Sequence, residues 1–570
     1  MPAGFVVVIT TADSLDDYVI TNITMTGLSG LVFPEDPEPE FVAINANNVA
    51  VITLQENNGI VLIDLATKTI LSSFSAGTVD LENIDTEEED IIDQTSSLDG
   101  VPREPDGVIF IGNEHFATAD EGDMDGGSRG FTIFDLDGTV AHSSGSEMDQ
   151  ISAAVGHYPE SRSGNKGSEP ENVAFGNYGG VDYLFVNCER SNLVFVYDLT
   201  DVHNPQFRQV LPTNVGPEGS KAIPSRGLLV VASEKDSRDD KLRSTIAIYE
   251  FSEGAAQYPT LMSERDEQTG VAIPWSAMSG LSADPSDEDI LYSIEDSYYA
   301  SSRFFTIDIT EHPAIVTKAT RIMDSEGKLA AVDASLVNDD NTVNIDQEGI
   351  AADGKGNFYI ASEGKGTIGD IDEPFKYFNY ILKVNTAGVI QKVISLPAEF
   401  NAIQLRFGLE GVAYHPDGYL IACLQRAWSG FDGPAILAYD LENDEWLGHV
   451  IYPLDDATSQ AGGWVGLSDI TYTGEGMIFY VLERDNQGGL DAAVKKIYSI
   501  DLADVEFTTN ETITKTEVAD LMDVYVANGA LMMEKIEGLT YTANGIWIIN
   551  DNDGVDDNNG ETQLLNLGQL

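Results

Sequence analysis

A short pattern recurs nine times along the chain and constrains its fold more than any other feature. Each copy starts with an acidic-glycine step or a looser variant of it, continues as a strand, a turn and a second strand, and in most copies ends near a carboxylate. Two of the clearest copies run from Glu348-Gly349 to Glu363 and from Glu537-Gly538 to Asp551. The two marks of a copy lie about 14 to 18 residues apart, which is the length of two antiparallel strands and a turn. Successive copies start about 45 to 70 residues apart, a spacing that indicates the blades of a β-propeller.

The repeat predicts an all-β protein. We expect a β-propeller built from about nine four-stranded repeats, arranged either as one large ring or as two joined propellers. The spacing changes around residues 252–275, and this change predicts two domains, 1–255 and 256–570. Both parts follow the same repeat, so the boundary depends on spacing alone.

The geometry of the repeat predicts where its carboxylates meet. In an antiparallel pair, the start of the first strand and the end of the second lie at the same end. If the first strand is innermost, the carboxylates of all copies surround the mouth of a central channel, and such oxygens are the ligands that Ca²⁺ prefers. The alternative is that they cap strands and form ion pairs between blades. The predicted calcium ligands are Glu56, Glu104, Asp106, Asp120, Glu121, Asp123, Glu169, Glu171, Glu218, Glu234, Glu295, Glu348, Glu363, Glu410, Glu537, Asp551 and Asp553.

Two acidic segments are individual candidates for calcium loops. Residues 120–127 combine carboxylates with a glycine-rich turn, which is typical of a flexible calcium loop, although an Asp/Gly turn without metal has the same composition. Residues 550–561 look like an EF-hand loop, but their oxygen ligands are out of register with that motif. For this second segment, calcium in another geometry and no calcium are equally supported.

The charge of the chain excludes two classes of partner. Asp and Glu number 95 against 30 Lys and Arg, for a formal charge of −65. Nucleic acid and anionic membrane surfaces need a positively charged protein face, so neither is an expected partner. No apolar run is long enough for a membrane helix, so membrane insertion is not expected either. The charge fits a protein surrounded by salt or divalent cations.

Other catalytic motifs are weak. Residues 126–130 match G-x-S-x-G, but a strand rather than a helix follows them, which argues against a serine-hydrolase nucleophile. The seven histidines form no metal pair at helical spacing. Cys188 and Cys423 lie in apolar strands of different repeats, and we expect buried free thiols rather than a disulfide.

Basic residues beside the repeat carboxylates are unusual in so acidic a chain. At the same edge they would clamp a phosphate group, Arg by two parallel hydrogen bonds. The alternative is an ion pair with the Glu of a neighbouring blade. The candidates are Arg103, Arg129, Lys166, Arg190, Lys221, Arg226, Arg426 and Arg484. Of these, Arg103, Arg129, Lys166, Lys221 and Arg226 are the predicted phosphate-binding residues, and Glu121, Glu189 and Arg190 the predicted catalytic residues.

Several longer motifs resemble a known family. The first half contains Leu54-Gln55-Glu56, Arg103-Glu104-Pro105-Asp106-Gly107, Ala119-Asp120-Glu121-Gly122-Asp123 and Lys166-Gly167-Ser168-Glu169-Pro170-Glu171. The second half contains Asp346-Gln347-Glu348-Gly349, Leu409-Glu410-Gly411-Val412 and Ile536-Glu537-Gly538-Leu539. Together these motifs resemble secreted bacterial proteins in which a choice-of-anchor I region precedes a phytase-like domain. That family is described as having esterase-like activity of phytase.

The resemblance implies an extracellular or periplasmic β-propeller with calcium-dependent phosphoesterase activity. In that family more repeats precede the point where this chain starts, so we expect an incomplete first ring and a larger surface-anchored protein. The leading hypothesis is a secreted phosphatase or phytase-like hydrolase that acts on a small phosphate ester, with one or more Ca²⁺ as cofactor. The alternative is a non-catalytic, calcium-stabilised extracellular propeller for surface attachment or for binding a partner or glycan.

Overall fold

The computed structural model describes residues 4–237, 243–508, 510–529, 532–555 and 558–569. The chain divides into two compact units. The first consists of Met1–Pro259, Arg265–Pro274 and Gly554–Glu561. The second consists of Thr260–Glu264, Trp275–Asp553 and Thr562–Leu570. Within the described residues, no helix has both the length and the apolar character that a membrane crossing needs.

The first unit contains four blade-like sheets and two hairpins among its described residues. It begins with a hairpin of β1 (Phe5–Thr10) and β2 (Val19–Thr24), followed by a blade of β3 (Val42–Ile44), β4 (Val49–Leu54), β5 (Gly59–Asp64) and β6 (Thr69–Ser75). A second hairpin consists of β7 (Thr78–Ile84) and β8 (Ser96–Pro102). The next blade consists of β9 (Val108–Ile111), β10 (His115–Asp120), β11 (Gly130–Asp135) and β12 (Val140–Ser143), and helix α1 (Glu147–Ala154) follows it.

Two further blades complete the first unit. One consists of β13 (Pro170–Tyr178), β14 (Val181–Cys188), β15 (Leu193–Asp198) and β16 (Gln206–Pro212). The other consists of β17 (Pro217–Ile223), β18 (Leu228–Ser233) and β19 (Thr245–Glu250). The first strands β3, β9, β13 and β17 pack against one another in chain order.

Among its described residues, the second unit contains five blades. The first consists of β20 (Leu261–Ser263), β21 (Met278–Asp284), β22 (Asp287–Glu295), β23 (Arg303–Asp308) and β24 (Ala314–Arg321), with β20 parallel to β24. The second consists of β25 (Asp346–Ala352), β26 (Asn357–Glu363), β27 (Tyr380–Asn385) and β28 (Ile390–Ser395). After α2 (Ala398–Asn401), the third consists of β29 (Leu409–His415), β30 (Tyr419–Leu424), β31 (Ala435–Asp440) and β32 (Glu445–Ile451).

The last two blades of the second unit close its ring. The fourth consists of β33 (Val465–Tyr472), β34 (Ile478–Asp485), β35 (Lys495–Asp501) and β36 (Thr516–Asp520). After α3 (Met522–Ala527), the fifth consists of β37 (Ile536–Thr542), β38 (Gly545–Asn550) and β39 (Leu565–Asn566). The strands β21, β25, β29, β33 and β37 pack in chain order, and β37 also packs against β21. The described residues of this unit therefore form a closed five-bladed propeller, and the predicted all-β propeller class is confirmed.

The acidic-glycine step has a structural explanation. In β25 the register shifts between Gln347 and Gly349, so Glu348 is the extra residue of a β-bulge. The same shift falls around Glu410-Gly411 in β29 and at Glu537 in β37. A bulge bends the strand and re-aims one side chain. In these three blades the acidic-glycine step therefore places a carboxylate near the start of the innermost strand.

The glycine of the step allows neighbouring blades to approach closely. A methyl group at Gly349 would lie 2.4 Å from the carbonyl oxygen of Glu410, and one at Gly411 would lie 2.5 Å from the amide nitrogen of Ile470. Both contacts are with the backbone of the next blade, and at such distances a side chain cannot be accommodated without moving it.

The packed core lies between adjacent sheets, and both cysteines are buried and free, as predicted.

Candidate functional site

The two acidic marks of a repeat lie at the same end of its blade. In the second blade of the second unit, Asp346 at the start of β25 pairs with Glu363 at the end of β26. In the fifth blade, Ile536 pairs with Asn550, next to Glu537 and Asp551. Within each unit, the strands that carry the first mark pack against one another, as β21, β25, β29, β33 and β37 do in the second unit. The marks of successive blades therefore converge within each unit.

In the first unit, seven carboxylates form a continuous series that we call the first cluster. It contains three triads whose ligand atoms lie within 4.8 Å of one another. The triads share Glu121 and Glu189 as common members. The members of the first cluster are Asp106, Glu121, Glu169, Glu171, Glu189, Glu218 and Glu234.

Basic side chains of the protein pair with part of the first cluster. Lys166 Nζ lies 2.9 Å from Glu121 Oε1. Arg190 lies between two members, 3.0 Å from Glu169 Oε2 and 2.9 Å from Glu189 Oε1. Arg162 Nε donates a 2.6 Å hydrogen bond to Glu169 Oε1. The predicted residues Glu121, Glu189, Arg190 and Lys166 are thus brought together, in direct contact with one another or with a shared carboxylate.

Burial and mutual repulsion alter the protonation of the first cluster. Burial, followed by the charges of Glu121 and Asp106, raises the pKa of Glu171 to about 10. Burial raises the pKa of Glu189 to about 7, against the opposing charge of Arg190. Burial also raises the pKa of Asp106 to about 6. These carboxyls are therefore hard to ionise together unless further positive charge is supplied.

Two predicted ligands lie at the edge of this cluster or away from it. Glu56 is half-buried, and its buried Oε2 has no hydrogen-bond partner. Burial, then Glu40 and Glu38, raises the pKa of Glu56, although its own backbone partly opposes the rise. Asp123 is exposed.

The loop at 120–127 does not have the polarity predicted for a calcium loop. The carboxylate of Glu104 accepts hydrogen bonds from the backbone N–H groups of Asp123, Met124 and Asp125 at 2.6, 2.8 and 3.0 Å. The loop therefore surrounds an anion with N–H donors, whereas a calcium loop presents oxygens to a cation. Asp120 is fully buried and accepts hydrogen bonds from three hydroxyls, those of Thr118, Ser128 and Thr132. Glu104 and Asp120 thus hold the loop and the blade together.

Three of the predicted phosphate-binding residues lie away from the cluster. Arg103 is 5% exposed and donates to the carbonyls of Ala76 and Thr78. Arg129 is 1% exposed and pairs with Asp149 at 3.0 Å. Arg226 lies in the turn between β17 and β18, which is the opposite end of the blade from Glu218.

Arg103 and Arg129 are buried and already have partners, so they do not form the predicted phosphate clamp, and neither pairs with a Glu in the described structure. Lys221 is exposed and lies in the middle of β17, between the two ends of its blade. Of the five predicted phosphate-binding residues, Lys166 is the one that contacts the first cluster in the described structure.

In the second unit, five carboxylates form what we call the second cluster. Asp296, Asp346 and Glu348 form one triad, and Glu348, Glu363 and Glu410 form another. In each triad the ligand atoms lie within 4.8 Å of one another, and Glu348 belongs to both. Asp296 follows β22, so consecutive blades of the ring supply the five carboxylates.

Neutral donors hold the second cluster in position. Ser279 Oγ lies 3.1 Å from Glu348 Oε2, and the backbone N–H of Gly408 donates to Glu363 Oε1. The described residues include no Lys or Arg in an ion pair with Glu348, Glu363 or Glu410. Burial, followed by the charge of Glu410, raises the pKa of Glu348 well above its usual range. The positive charges of Arg484 and Arg406 only partly oppose the effect of burial on Glu410 and Glu363, so the three carboxyls are hard to ionise together.

Basic residues lie around the second cluster. Lys535 Nζ is 3.0 Å from Asp551 and 3.5 Å from Asp296, and it also pairs with Asp553. Arg484 pairs with Glu537. Glu295 is fully buried and pairs with Arg303, its nearest Nη2–Oε2 distance being 2.6 Å. Of the acidic loop at 550–561, residues 556 and 557 lie outside the described residues.

Asp296, Asp346 and Lys535 were not among the predicted site residues. Asp346 could have been found, because it begins the motif Asp346-Gln347-Glu348-Gly349 two residues before a predicted ligand. Asp296 directly follows the predicted Glu295, and one register step decides which of the two faces the cluster. Lys535 precedes the last acidic-glycine step but matches no repeat position.

The second cluster fits a hard divalent cation better than the first does. Ca²⁺ takes six to eight oxygens, and the two triads supply buried carboxylates without a competing basic side chain on Glu348, Glu363 or Glu410. Residues that would hold it are Asp296, Asp346, Glu348, Glu363 and Glu410.

Two family models match the chain. Residues 273–554 match a model described as Phytase-like, esterase-like activity of phytase. Residues 9–126 and 124–202 match the model of the choice-of-anchor I domain. The resemblance stated from the motifs is therefore confirmed, and the two matches fall on different parts of the sequence.

Solved structures are similar only at low sequence identity. Hydrazine synthase of Kuenenia stuttgartiensis is 11% identical over 85% of this chain and 96% of that one, with a TM-score of 0.23. Glutaminyl cyclase of Myxococcus xanthus is 11% identical over 51% and 92%, with a TM-score of 0.28. A Dos1 propeller is 11% identical over 80% and 90%, with a TM-score of 0.25. The search among curated proteins gave no match.

Proposed function

We propose, on the premise that the chain joins a choice-of-anchor I region to a phytase-like region, that it is a secreted, calcium-dependent phosphoric-ester hydrolase. The second cluster is the reaction centre of this proposal. One observation carries it: two carboxylate triads share Glu348, within the stretch that matches the phytase-like model. Neighbouring cation sites that share a ligand are suited to phosphate-ester hydrolysis, where both the attacking and the leaving oxygen need charge stabilisation.

The chain itself supplies ligands and their orientation. Bound Ca²⁺ would supply the positive charge that neutralises phosphoryl oxygens. Gly408 and Ser279 fix the carboxylates of Glu363 and Glu348 through hydrogen bonds. Lys535 Nζ lies 3.5 Å from Asp296 and helps to orient it. Because Glu348 and Glu410 are buried, their interaction with a cation is less weakened by water than at an exposed site.

The sequence predicted the reacting residues Glu121, Glu189 and Arg190 in the first cluster. We locate the reaction in the second cluster because Glu121 and Glu189 already have basic partners, Lys166 and Arg190. A substrate or cation at the first cluster would have to replace those ion pairs. The phytase-like match also lies on the second unit, and the choice-of-anchor match supports a secreted surface protein.

The experiment is a hydrolysis panel with the full chain. The substrates are 4-nitrophenyl phosphate, its diester and phytate, assayed with calcium and then with a chelator. Glu348→Gln removes the charge of the shared ligand, and Glu121→Gln is the matched control in the first cluster. We expect turnover that depends on calcium, is lost on chelation and in Glu348→Gln, and persists in Glu121→Gln.

Two outcomes would contradict this assignment. Loss of turnover in Glu121→Gln but not in Glu348→Gln would move the reaction to the first cluster, as the sequence predicted. No turnover from any substrate, together with a calcium-dependent rise in melting temperature, would favour the non-catalytic propeller. That second function is favoured by the ion pairs of Glu121, Glu169 and Glu189 in the first cluster, which support the blades without a metal.

A further inference from the structure

Arginine and aromatic side chains alternate at the carboxylate end of the second ring. The guanidinium carbon of Arg406 lies 4.5 Å from the ring centre of Phe407. That of Arg426 lies 5.1 Å from Phe407 and 5.0 Å from Trp464, and that of Arg484 lies 5.7 Å from Trp464. The two rings are 5.3 Å apart. We call these five residues the arginine–aromatic ladder.

The ladder borders the second cluster directly. Phe407 precedes Gly408, whose N–H donates to Glu363. Phe407 also has a φ of 70°, a left-handed conformation that is uncommon for a bulky side chain and is found where surrounding structure imposes it. Its carbonyl accepts a 3.0 Å hydrogen bond from Trp428 Nε1, which helps to hold it there. The ladder and the triad of Glu348, Glu363 and Glu410 therefore share a backbone segment.

Arg426 is the member of the ladder without an anionic partner. Arg484 pairs with Glu537, and Arg406 pairs with Glu373 at 2.9 Å. Across the described part of the chain, Arg426 forms no ion pair and donates no hydrogen bond, although the protein has 95 acidic residues. It is half-buried. Stacking uses the faces of a guanidinium, so its in-plane N–H donors remain available to a ligand.

The electrostatic surroundings of Arg426 favour an anion. Burial, followed by the positive charge of Arg406, lowers the pKa of Arg426. A partly desolvated cation next to a second cation is stabilised by an oxyanion that can accept two parallel hydrogen bonds.

We infer that Arg426 is the oxyanion-binding residue of the proposed reaction centre and that it selects phosphate monoesters over phosphate diesters. This inference rests on the proposed function. A monoester has three non-bridging oxygens, so two can accept hydrogen bonds from Arg426 while the third faces the carboxylate-held cation. A diester has two, and a bidentate contact with Arg426 would use both. Monoester preference therefore follows from counting oxygens.

The test measures binding, separately from turnover. Phenylphosphonate carries three non-bridging oxygens and no ester bond. Its monomethyl ester carries two, and its one ester bond has methoxide, a poor leaving group; phosphorus NMR after each titration checks that this ester is intact. Both are titrated by calorimetry into the calcium-loaded full chain and into Arg426→Gln. We expect the variant to bind phenylphosphonate about tenfold more weakly, and its methyl ester less than about twofold more weakly.

Two further variants act as controls. Arg321→Gln changes an exposed arginine at the end of β24 in the same ring and should leave both affinities unchanged. Arg426→Lys keeps the charge but loses the planar pair of donors, so it should recover part of the affinity and little of the preference. Thermal unfolding of each variant shows whether it is folded. If Arg426→Gln is misfolded, the two binding affinities are compared in Arg426→Lys instead.

The outcomes separate this inference from the proposed function. If Arg426→Gln retains the preference for phenylphosphonate, the oxyanion site is wrong, whether or not the protein hydrolyses esters. If the protein hydrolyses nothing but the preference depends on Arg426, the oxyanion site stands and the proposed function fails. The titration is repeated with phenylsulfonate and benzoate. If these two anions bind as tightly as phenylphosphonate, Arg426 does not select phosphate groups.

Discussion

The two carboxylate clusters come from the same repeat but differ in how their charge is balanced. In the first cluster, Lys166, Arg162 and Arg190 contact Glu121, Glu169 and Glu189. In the second, the triad around Glu348 is held by a hydroxyl and a backbone N–H. The comparison shows that the acidic-glycine step fixes where a carboxylate lies, while nearby basic residues decide whether it is already paired.

This difference separates a structural role from a ligand role. A carboxylate paired with Arg or Lys gains little from a further cation, since its charge is already neutralised. A group of buried carboxylates without such partners is strongly destabilised when ionised, so a divalent cation has much to stabilise. On this basis we propose that the first cluster supports the blades and that the second binds Ca²⁺.

The largest expected effect comes from removing the charge shared by the two triads. In Glu348→Gln we expect hydrolysis to fall about a hundredfold or more and calcium affinity to fall with it. Glu121→Gln should change turnover less than about twofold, because the partner of that carboxylate is the ammonium group of Lys166 rather than a metal ion. Calcium titration and steady-state kinetics on both variants measure this contrast. Equal losses in the two would remove the distinction between the clusters.

A second change should make the first cluster behave like the second. Arg190→Met removes the partner of Glu189 and one of the two partners of Glu169. We expect the metal-free variant to lose about 1 to 2 kcal/mol of unfolding free energy, and calcium to restore much of it. Chemical denaturation with chelator and with calcium gives both numbers. A variant as stable as the wild type without calcium would show that the ion pairs do not balance the first cluster.

The pH dependence of stability should also distinguish the metal-free and calcium-loaded proteins. Burial raises the pKa of Glu189 to about 7 and that of Glu363 to about 7, from a usual 4.5. A raised folded-state pKa gives stability that is complete below the unfolded pKa and is lost as the pH rises through the folded value. The metal-free melting temperature should therefore fall between about pH 4.5 and 7, and calcium should flatten that fall. If the melting temperature of the metal-free protein rises between about pH 4.5 and 7, the raised pKa values of Glu189 and Glu363 are contradicted.

The smallest effect is expected at the other end of a blade. Arg226 lies in the turn opposite Glu218 and is exposed. Arg226→Gln should change unfolding free energy by less than about 0.5 kcal/mol and leave hydrolysis unchanged. Denaturation and the assay of 4-nitrophenyl phosphate measure both. A clear loss of activity would mean that function is not confined to the carboxylate end.

The sequence predicted the parts of the site that belong to the repeat. Glu348, Glu410 and Glu537 were found because spacing determines which end of a blade they occupy. The ladder needs contacts between blades: Phe407 and Trp464 are far apart in sequence and meet only in the closed ring. The repeat spacing in the sequence therefore could not predict this contact.

Local composition was misleading at the acidic loop. The segment 120–127 has the composition of a calcium loop, yet its N–H groups converge on Glu104. Composition does not determine whether a turn directs its carbonyls or its amides inward, because that depends on backbone dihedral angles. Arg103 and Arg129 were misassigned for a related reason, since burial decides whether an arginine faces solvent or supports the interior.

The close approach at Gly349 and Gly411 has a consequence for the tolerance of the site to change. The spacing between neighbouring blades at this point is set by main chain packed against main chain. Gly349 lies against the carbonyl oxygen of Glu410, and Gly411 lies against the amide nitrogen of Ile470. Repacking of side chains in the core, which commonly shifts atoms by a fraction of an ångström, acts on a different layer of the blade. We therefore expect most substitutions of core side chains to leave the spacing of the carboxylates unchanged.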